Sequence, residues 1–385
     1  HLIRVLHLTQ MTSLKRVILA AAALLCAIPP AISQDLTAYI GTYTRGKSKG
    51  IYAWRFSLSS GKLTSLGLAA ETSNPSFLAV HPNRRFLYAV NENATGTVTA
   101  FSIDSATGKL TQLNSASSRG NGPCHLAVDH SGKWLFVANY GSGSIAVLPI
   151  HDDGSLGEAS AFVQHSGSSV NKQRQSGPHA HCVTQSPDGR FLLVEDLGLD
   201  EVLVYRFEAS KGALTANDPP FAKLAPGTGP RHMAFTPNGR FAYVVGEMLS
   251  NVTAFRYDAA RGSLAEFQTV PMLPPDFQGN NSGAEIAVHP NGKFLYASNR
   301  GHNSIAVYSI DAGSGTLRVL DHVATQGKTP RNFAIDPTGA WLFAAHQDSD
   351  SIVVFRIDAA TGIPKATGEV LEAGAPVCVT FVAAR

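Results

Sequence analysis

The chain has 385 residues, of which 15% are charged, and it carries 35 glycines, 21 prolines and a formal net charge of +3. This composition is too apolar for a disordered chain and too rich in turn-forming residues for long helices, so it favours many short strands joined by turns. The net charge is too small to indicate a nucleic-acid-binding protein, and basic residues occur only in short clusters.

The N-terminal segment has the pattern of a secretory signal peptide. After Met11, two basic residues precede an apolar run from 17 to 28, and small residues up to Ser33 provide a cleavage site. The apolar run is short for a helix that spans a bilayer, which favours cleavage over the alternative of an N-terminal membrane anchor. We therefore predict a mature protein that is periplasmic or secreted and not attached to a membrane. The predicted segments are upstream or cloning-derived residues 1–10, a signal peptide 11–33 and a single domain 34–385.

The cysteines indicate neither a disulfide framework nor a zinc site. Of the four, Cys26 lies in the predicted signal peptide, which leaves Cys124, Cys182 and Cys378. Three cysteines without close spacing match no metal or disulfide pattern, so at least one thiol should be free or buried.

Beyond the signal, the sequence repeats with a period of about 50 residues. A short apolar strand that follows a Gly-Pro or similar turn occurs seven times, beginning with NPSFLAV at Asn74. Six copies continue through a turn into a second strand, as in HPNRRFLYAVNE and HPNGKFLYASNR, and then into a third strand and a turn ending in Gly-x-Leu or similar. Four short strands per repeat of this length are typical of a β-propeller blade.

The two ends of the chain supply complementary parts of one blade. The seventh copy has only its first strand, APVCVTF, and the residues after the predicted signal supply the missing strands as LTAYIGTY, GIYAWRF and a strand after Gly61. A shared blade closes the ring and removes exposed sheet edges. The sequence therefore predicts an all-β fold, a seven-bladed β-propeller of four-stranded antiparallel blades closed by N- and C-terminal strands.

When the repeats are aligned, one position of the first strand, referred to here as a column, is apolar in every copy except one, which has a histidine. When the copies are aligned on their Gly-Pro turns, His181 occupies this column in the third copy, and Cys182 falls in the next column, where small residues dominate. The histidine column is apolar in the other six copies: Leu78, Leu126, Met233, Ile286, Phe333 and Val379. A polar residue in an apolar column marks a candidate functional position, whereas Cys182 is expected to be a packed core thiol.

Polar residues also concentrate at one face of the predicted propeller. First strands start and second strands end at the same face, because neighbouring antiparallel strands share their ends. The first-strand starts carry Cys124, His125, His179, Arg231, His232, Glu285, Arg331 and Asn332, and the second-strand ends carry Asn91, Glu92, Asn139, Tyr140, Glu195, Asp196, Glu247, Asn299, Arg300, His346 and Gln347. Two insertions, near residues 163–177 and 271–283, return to this face, and the first contains Arg174. We call this face the mouth of the propeller. Its residues suit an anionic, oxygen-rich small molecule, since Arg pairs with carboxylate or phosphate and Glu or His can transfer protons.

Two other interpretations of the mouth stay open. His179 and His181, two residues apart on one strand, could ligate a metal, although no third ligand is evident. The polar residues could instead only hydrate a propeller channel, in which case the protein would be a non-catalytic secreted propeller that binds a ligand or a protein partner. The convergence of so many charged residues on one face favours catalysis, and we expect no metal and no other cofactor.

The sequence resembles a known protein family. The blade pattern, PHAH at 178–181, GPRH at 229–232, Glu247 and SNRG at 298–301 resemble the seven-bladed propeller lactonases. This family includes bacterial propeller-type 6-phosphogluconolactonases and fungal carboxymuconate cyclases, and the resemblance extends over residues 39–382. It implies a lactone hydrolase; a lactonising cycloisomerase that acts on a muconate-like diacid is the alternative within the same family.

The resemblance also implies roles for individual residues. The catalytic cluster would comprise a histidine of the PHAH motif, either His179 or His181, together with Arg231, Glu247 and Arg300. Glu247 or His179 would activate water, and the two arginines would bind the substrate's anionic group and stabilise the oxyanion. Further substrate contacts would come from Arg174, Arg331, His125, Glu92 and His232.

The expected substrate is a small anionic sugar lactone, and neither nucleic acid nor a membrane is an expected partner. Phosphorylated sugars are scarce outside the inner membrane, whereas the chain carries an export pattern. The export pattern therefore favours an unphosphorylated sugar lactone or another acid lactone over 6-phosphogluconolactone.

Overall fold

The computed structural model of the protein describes residues 35–383, and every helix or strand element in that range is a β-strand. The predicted signal peptide and the residues before it lie outside the described residues, so both stay predictions. Within residues 35–383, no helix has the length and apolar character needed to cross a membrane.

The described residues form seven four-stranded antiparallel sheets, which we number as blades 1 to 7. Blade 1 contains β1 (Leu36–Thr42), β2 (Gly50–Phe56), β3 (Leu63–Glu71) and the last strand of the chain. Blades 2 to 4 contain β4 (Leu78–Val80), β5 (Phe86–Asn91), β6 (Thr97–Ile103) and β7 (Leu110–Ser117); β8 (Pro123–Val128), β9 (Trp134–Asn139), β10 (Ser144–Pro149) and β11 (Ala161–Gln164); β12 (Ala180–Gln185), β13 (Phe191–Asp196), β14 (Glu201–Glu208) and β15 (Ala213–Lys223). Blades 5 to 7 contain β16 (Pro230–Phe235), β17 (Phe241–Gly246), β18 (Asn251–Asp258) and β19 (Ser263–Pro271); β20 (Gly283–Val288), β21 (Phe294–Asn299), β22 (Ser304–Ile310) and β23 (Leu317–Ala324); β24 (Pro330–Ile335), β25 (Trp341–His346), β26 (Ser351–Ile357) and β27 (Pro364–Glu372). The last strand, β28 (Pro376–Ala383), is the innermost strand of blade 1.

The innermost strands of the blades form a closed cycle around a central axis. Each contacts the innermost strand of the next blade, in the order β4, β8, β12, β16, β20, β24, β28 and back to β4. In blade 1, β28 pairs antiparallel with β1, with Tyr39 opposite Thr380. The prediction of a seven-bladed propeller whose two chain ends share one blade is confirmed.

The core lies between neighbouring blades, and it explains why the strands are apolar without interruption. In β17, Phe241, Tyr243 and Val245 belong to a buried cluster with residues of blade 6. The intervening Ala242 and Val244 belong to a cluster with residues of blade 4. Because successive side chains of a strand point to opposite faces, a blade covered on both faces needs apolar residues at every position.

A β-bulge at the start of the innermost strands turns additional side chains towards the axis. In β8, Pro123 pairs with Asn139 and His125 with Ala138, so Cys124 is the extra residue. The corresponding extra residues are His181 in β12, Arg231 in β16, Ala284 and Glu285 in β20, and Arg331 in β24. A bulge residue is released from the ladder and bends its strand. The bulges therefore place charged and aromatic side chains where the blades converge.

Candidate active site

The mouth of the propeller is lined by a ring of residues that directly follow the second strand of each blade. In every blade the backbone N–H of this residue donates a hydrogen bond to a carbonyl just before the innermost strand, as Glu247 does to Gly229 at 2.8 Å. We call this set the mouth ring; it comprises Tyr43, Glu92, Tyr140, Leu197, Glu247, Arg300 and Gln347. The common hydrogen bond holds all seven Cα atoms at the same level of the mouth.

Two further rings lie deeper along the axis. The upper ring contains the bulge positions of six innermost strands, namely Cys124, His181, Arg231, Ala284, Arg331 and Val377, and in blade 2 the corresponding Ser76, two residues before β4. The lower ring contains the next position, namely Phe77, His125, Cys182, His232, Glu285, Asn332 and Cys378. The polar residues that the sequence assigns to first-strand starts therefore occupy two levels.

The strand register corrects the alignment that singled out His181. β12 begins with Ala180 opposite Asp196, just as β8 begins with Pro123 opposite Asn139. The Gly-Pro turn at 177–178 therefore belongs to the insertion before β12, and its use as an anchor shifted this copy by two residues. The apolar column contains Val183 in this blade, so the prediction that His181 interrupts an apolar column was wrong. His181 instead belongs to the upper ring.

Glu247 binds three arginines at once. Its Oε2 accepts a hydrogen bond from Arg231 Nε at 3.1 Å and forms an ion pair with Arg300 Nη2 at 2.9 Å, and its Oε1 accepts a hydrogen bond from Arg174 Nη2 at 2.6 Å. Burial by itself raises the pKa of Glu247, but the charges of the surrounding guanidinium groups outweigh it and lower the pKa to about 2. Glu247 is thus an ionised carboxylate whose lone pairs are taken up by arginine.

Arg231 and Arg300 are held rigidly beside this carboxylate. Arg231 is only 2% exposed, and its Nη1 donates to the carbonyl oxygen of Ala284 at 2.7 Å. Arg300 Nη2 also donates to the carbonyl oxygen of Gly283 at 2.9 Å, while its Nε–H has no partner among the described residues. Burial lowers the pKa of both arginines, and that of Arg300, at about 10, leaves its guanidinium charged at neutral pH. The pair presents fixed positive charge to the mouth.

A second group of polar side chains belongs to the neighbouring blades 7, 1 and 2. The guanidinium of Arg331 lies over the ring of Tyr43, 5.4 Å from its centroid, and Tyr43 Oη donates to Glu92 Oε2 at 2.9 Å. Within residues 35–383, the Arg331 guanidinium has no hydrogen-bond partner, in contrast to Arg174, Arg231 and Arg300. The N–H donors along the edge of the Arg331 guanidinium are therefore free to bind an anionic group.

The two PHAH histidines differ in their surroundings. The His179 ring is stacked on Tyr140 at 4.6 Å, and its Nδ1 lies 2.9 Å from the Tyr140 carbonyl oxygen. His181 is buried, and its Nδ1 has no hydrogen-bond partner among the described residues. Burial and the neighbouring charge of Arg231 hold the pKa of His181 well below its ordinary value, so its imidazole is neutral.

The lower ring closes the bottom of the site. Phe77 of blade 2 contacts His232 of blade 5 edge to face at 5.8 Å, and His125 lies 4.1 Å from Phe77 and 5.1 Å from His232. Contacts between blades this far apart in the ring cross the axis, so these three rings form a floor. Beneath the floor a cavity of about 300 Å³ includes Cys182 and Glu285 in its lining.

The structure thus brings together all ten predicted site residues. Arg174, Arg231, Glu247 and Arg300 form one bonded cluster, and the other six lie nearby in the rings or at the rim: Glu92, His125, His179, His181, His232 and Arg331. Sequence reasoning missed Tyr43, because its blade is split between the chain ends, although its position directly after β1 could have revealed it. It placed Glu195 at the mouth, but this carboxyl is buried, and both of its oxygens lack partners among the described residues.

The match to a known protein family covers almost all of the residues that the structure describes. Residues 37–381 match the family model described as Lactonase, 7-bladed beta-propeller. The chain belongs to this family. It is 36% identical to a 6-phosphogluconolactonase of Bacillus subtilis over 77% of this chain and 83% of that protein, and 35% identical to one of Formosa agariphila over 77% and 85%. A solved structure described as the periplasmic gluconolactonase of Pseudomonas aeruginosa is 37% identical, with a TM-score of 0.87 over 91% of this chain and 100% of that one.

The propeller lactonase site shows no arrangement typical of a metal centre. In the part of the chain that the structure describes, no group of three or more His, Cys, Asp or Glu side chains could hold a metal ion. The expectation of a reaction without cofactors stays a prediction, which a chelator experiment can test.

Proposed function

We propose that this protein hydrolyses the lactone of a sugar acid to the open-chain acid at the mouth of the propeller. The observation that carries the proposal is the concentration of four guanidinium groups, from Arg174, Arg231, Arg300 and Arg331, around the mouth-ring carboxylates Glu92 and Glu247. Such a site has an excess of positive charge for an anionic ligand and for an oxyanion. Membership of the propeller lactonases and the names of the relatives support the same reaction.

Arg331 is the anchor for the substrate's anionic or most oxygen-rich end in this proposal. Its guanidinium is uncommitted and backed by the Tyr43 ring, which suits a carboxylate, a phosphate or a set of hydroxyl groups. The lactone carbonyl then lies towards Arg231 and Arg300, in the adjoining blades 5 and 6. Their fixed charges stabilise the oxyanion that forms when the water oxygen bonds to the carbonyl carbon.

Neither of the bases expected from the sequence fits the geometry well. Glu247 shares its two oxygens among three arginines, so a proton on this carboxylate would disrupt all three ion pairs. His179 is stacked on Tyr140 and donates its Nδ1–H to a backbone carbonyl, so within residues 35–383 no carboxylate is bonded to this ring to stabilise an added proton. We therefore assign to Glu247 the role of holding the arginines in place, and we assign the proton transfer to an imidazole deeper in the site, at His181 or His232.

Export is part of the proposal. The signal-like pattern of residues 11–33 supports a periplasmic or secreted protein, and the structural neighbour from Pseudomonas aeruginosa is described as a periplasmic gluconolactonase, a name that specifies an unphosphorylated lactone. The relatives from Bacillus and Formosa are named for a phosphorylated substrate. Gluconolactone and 6-phosphogluconolactone are therefore both to be tested.

The test follows acid release from each lactone in a pH-stat at neutral pH, with spontaneous hydrolysis subtracted. We expect clear acceleration by the protein, and a loss of about 100-fold or more in kcat/KM for Arg231→Ala and Glu247→Gln, the size of effect seen when an oxyanion donor is removed. Arg318→Ala serves as the matched control, since Arg318 lies exposed on the outer strand β23. Rates equal to spontaneous hydrolysis with both lactones would refute the proposal and favour a binding propeller or a cycloisomerase.

A further inference from the structure

Beneath the arginines, Glu285 and His232 form a hydrogen-bonded pair. Glu285 Oε1 lies 2.9 Å from His232 Nδ1 and 3.0 Å from the backbone nitrogen of Ile286. Its Oε2 accepts a hydrogen bond from Asn332 Nδ2 at 2.5 Å. The amide of Asn332 is itself oriented, because its Oδ1 accepts a hydrogen bond from the backbone of Val379 at 2.8 Å. The carboxylate is therefore held from three directions.

This arrangement determines which nitrogen of His232 carries the proton. A carboxylate oxygen only accepts hydrogen bonds, so the neighbouring Nδ1 must be the donor. In a neutral imidazole the other nitrogen, Nε2, then bears a lone pair. Nε2 faces Arg231, whose Nη1 donates a long hydrogen bond of 3.4 Å to this lone pair, so the attacking water has to replace that contact.

His181, the other imidazole available for proton transfer, lacks such support. Its Nδ1 has no partner in the described part of the chain, and it lies among the charges of Arg231, Arg300 and Arg331. An added proton on His181 would meet only positive groups, whereas an added proton on His232 would be stabilised by Glu285 next to it. This difference is the one that a carboxylate behind a catalytic histidine produces in hydrolases.

We propose that His232 is the general base of lactone hydrolysis and that Glu285 is the positioning residue that holds its tautomer and stabilises its protonated form. This inference rests on the proposed function. Nε2 removes a proton from water as the water oxygen bonds to the carbonyl carbon. The bond from that carbon to the ring oxygen then breaks, the ring oxygen takes the proton back from Nε2, and the imidazole becomes neutral again.

The charge environment of His232 sets the direction of its pH dependence. The titratable groups that face it are Glu285 of β20, Arg231 of β16, Arg331 of β24, His181 of β12 and His125 of β8. Burial lowers the pKa of His232, the Glu285 charge opposes this effect, and the two arginines add to it. Without the Glu285 charge, the pKa of His232 would fall further and its neutral form would be a weaker base.

The experiment compares Glu285→Gln with Glu195→Gln over a range of pH. Glu195 is also a buried carboxyl; it lies beside Cys182 and is bonded to no site histidine in the described part of the chain, so its replacement controls for the loss of a buried acid. We expect Glu285→Gln to lower kcat about 100-fold with little change in KM, the size of a general-base contribution, and to shift the acidic limb of the kcat profile to lower pH. Glu195→Gln should keep the wild-type kcat and profile.

A second measurement uses only the wild-type protein, so it does not depend on whether a variant folds. Nitrogen-15 chemical shifts of the histidines in the wild-type protein should show His232 with a protonated Nδ1 and an unprotonated Nε2. The opposite tautomer, or a Glu285→Gln enzyme with unchanged kcat and an unchanged acidic limb, would overturn the role of the pair. These outcomes differ from failure of the proposed function, in which the wild-type protein itself would release no acid.

Discussion

The replacement of Glu247 by Gln should destabilise the protein far more than a surface glutamate replacement. The Glu247 side chain is 7% exposed, and two of its partners, Arg231 and Arg300, are 2% and 14% exposed. Removal of one partner from a buried ion pair typically costs about 3–5 kcal/mol, because the remaining charge is left uncompensated. Arg174 is 43% exposed and adds little to this figure.

The depressed pKa of Glu247 gives a similar value for the free energy with which its charge stabilises the fold. A decrease from the ordinary value of 4.5 to about 2 corresponds to about 3 kcal/mol, at 1.36 kcal/mol per pKa unit. Because the folded-state pKa is depressed, this stabilisation is fully present above about pH 4.5 and is lost as the pH falls towards 2. The difference between wild type and Glu247→Gln should therefore be constant from pH 7 to pH 5 and should shrink by most of about 3 kcal/mol at pH 2.5.

Urea unfolding followed by tryptophan fluorescence between pH 7 and pH 2.5 measures both effects. Glu208→Gln is the matched control, since Glu208 forms an ion pair with Lys211 that is exposed to solvent and should contribute little to stability. If Glu247→Gln lost no more stability at pH 7 than the control, or if its difference from wild type did not change in acid, the stabilising role of the three arginines would be refuted.

Three further predictions concern substrate binding, metal independence and the thiols. Arg331→Ala should raise KM about 10- to 100-fold for an anionic lactone, as expected for the loss of charged hydrogen bonds, with a smaller effect on kcat; a KM equal to that of Arg318→Ala would contradict its role as anchor. Lactonase activity should survive prolonged dialysis against EDTA, and a loss that is restored by a divalent cation would reveal a metal requirement. Burial raises the pKa of Cys378 to about 12 and also raises the pKa values of Cys124 and Cys182. Iodoacetamide should therefore leave these three thiols unmodified in the native protein at pH 8, and mass spectrometry of their peptides after brief labelling would expose any that react.

The architecture could be predicted from the sequence because it depends on local patterns that repeat. A turn, an apolar run and a second turn recur every 50 residues or so, and each copy describes one blade whose strands pair with their neighbours in the chain. The pairing of β28 with β1 was predictable for the same reason, since the incomplete first and last copies add up to one blade. The direction of the strands then assigned the polar residues to one mouth.

The arrangement inside the mouth could not be predicted, because it depends on contacts between blades that are far apart in the chain. Strand periodicity gives no indication that three arginines would converge on Glu247, or that His232 of blade 5 would hydrogen-bond Glu285 of blade 6. The bulges, which decide which side chains turn to the axis, also leave no pattern in the sequence. The two-residue error at His181 arose because an insertion before β12 contains a Gly-Pro turn like those of the other copies.

The sequence alone thus determined the fold, the polar mouth and the residue types for lactone chemistry, since these follow from local pattern. Only the tertiary structure decided which carboxylate is neutralised by arginine and which histidine has a carboxylate behind it, because charge and proton affinity depend on neighbours in space.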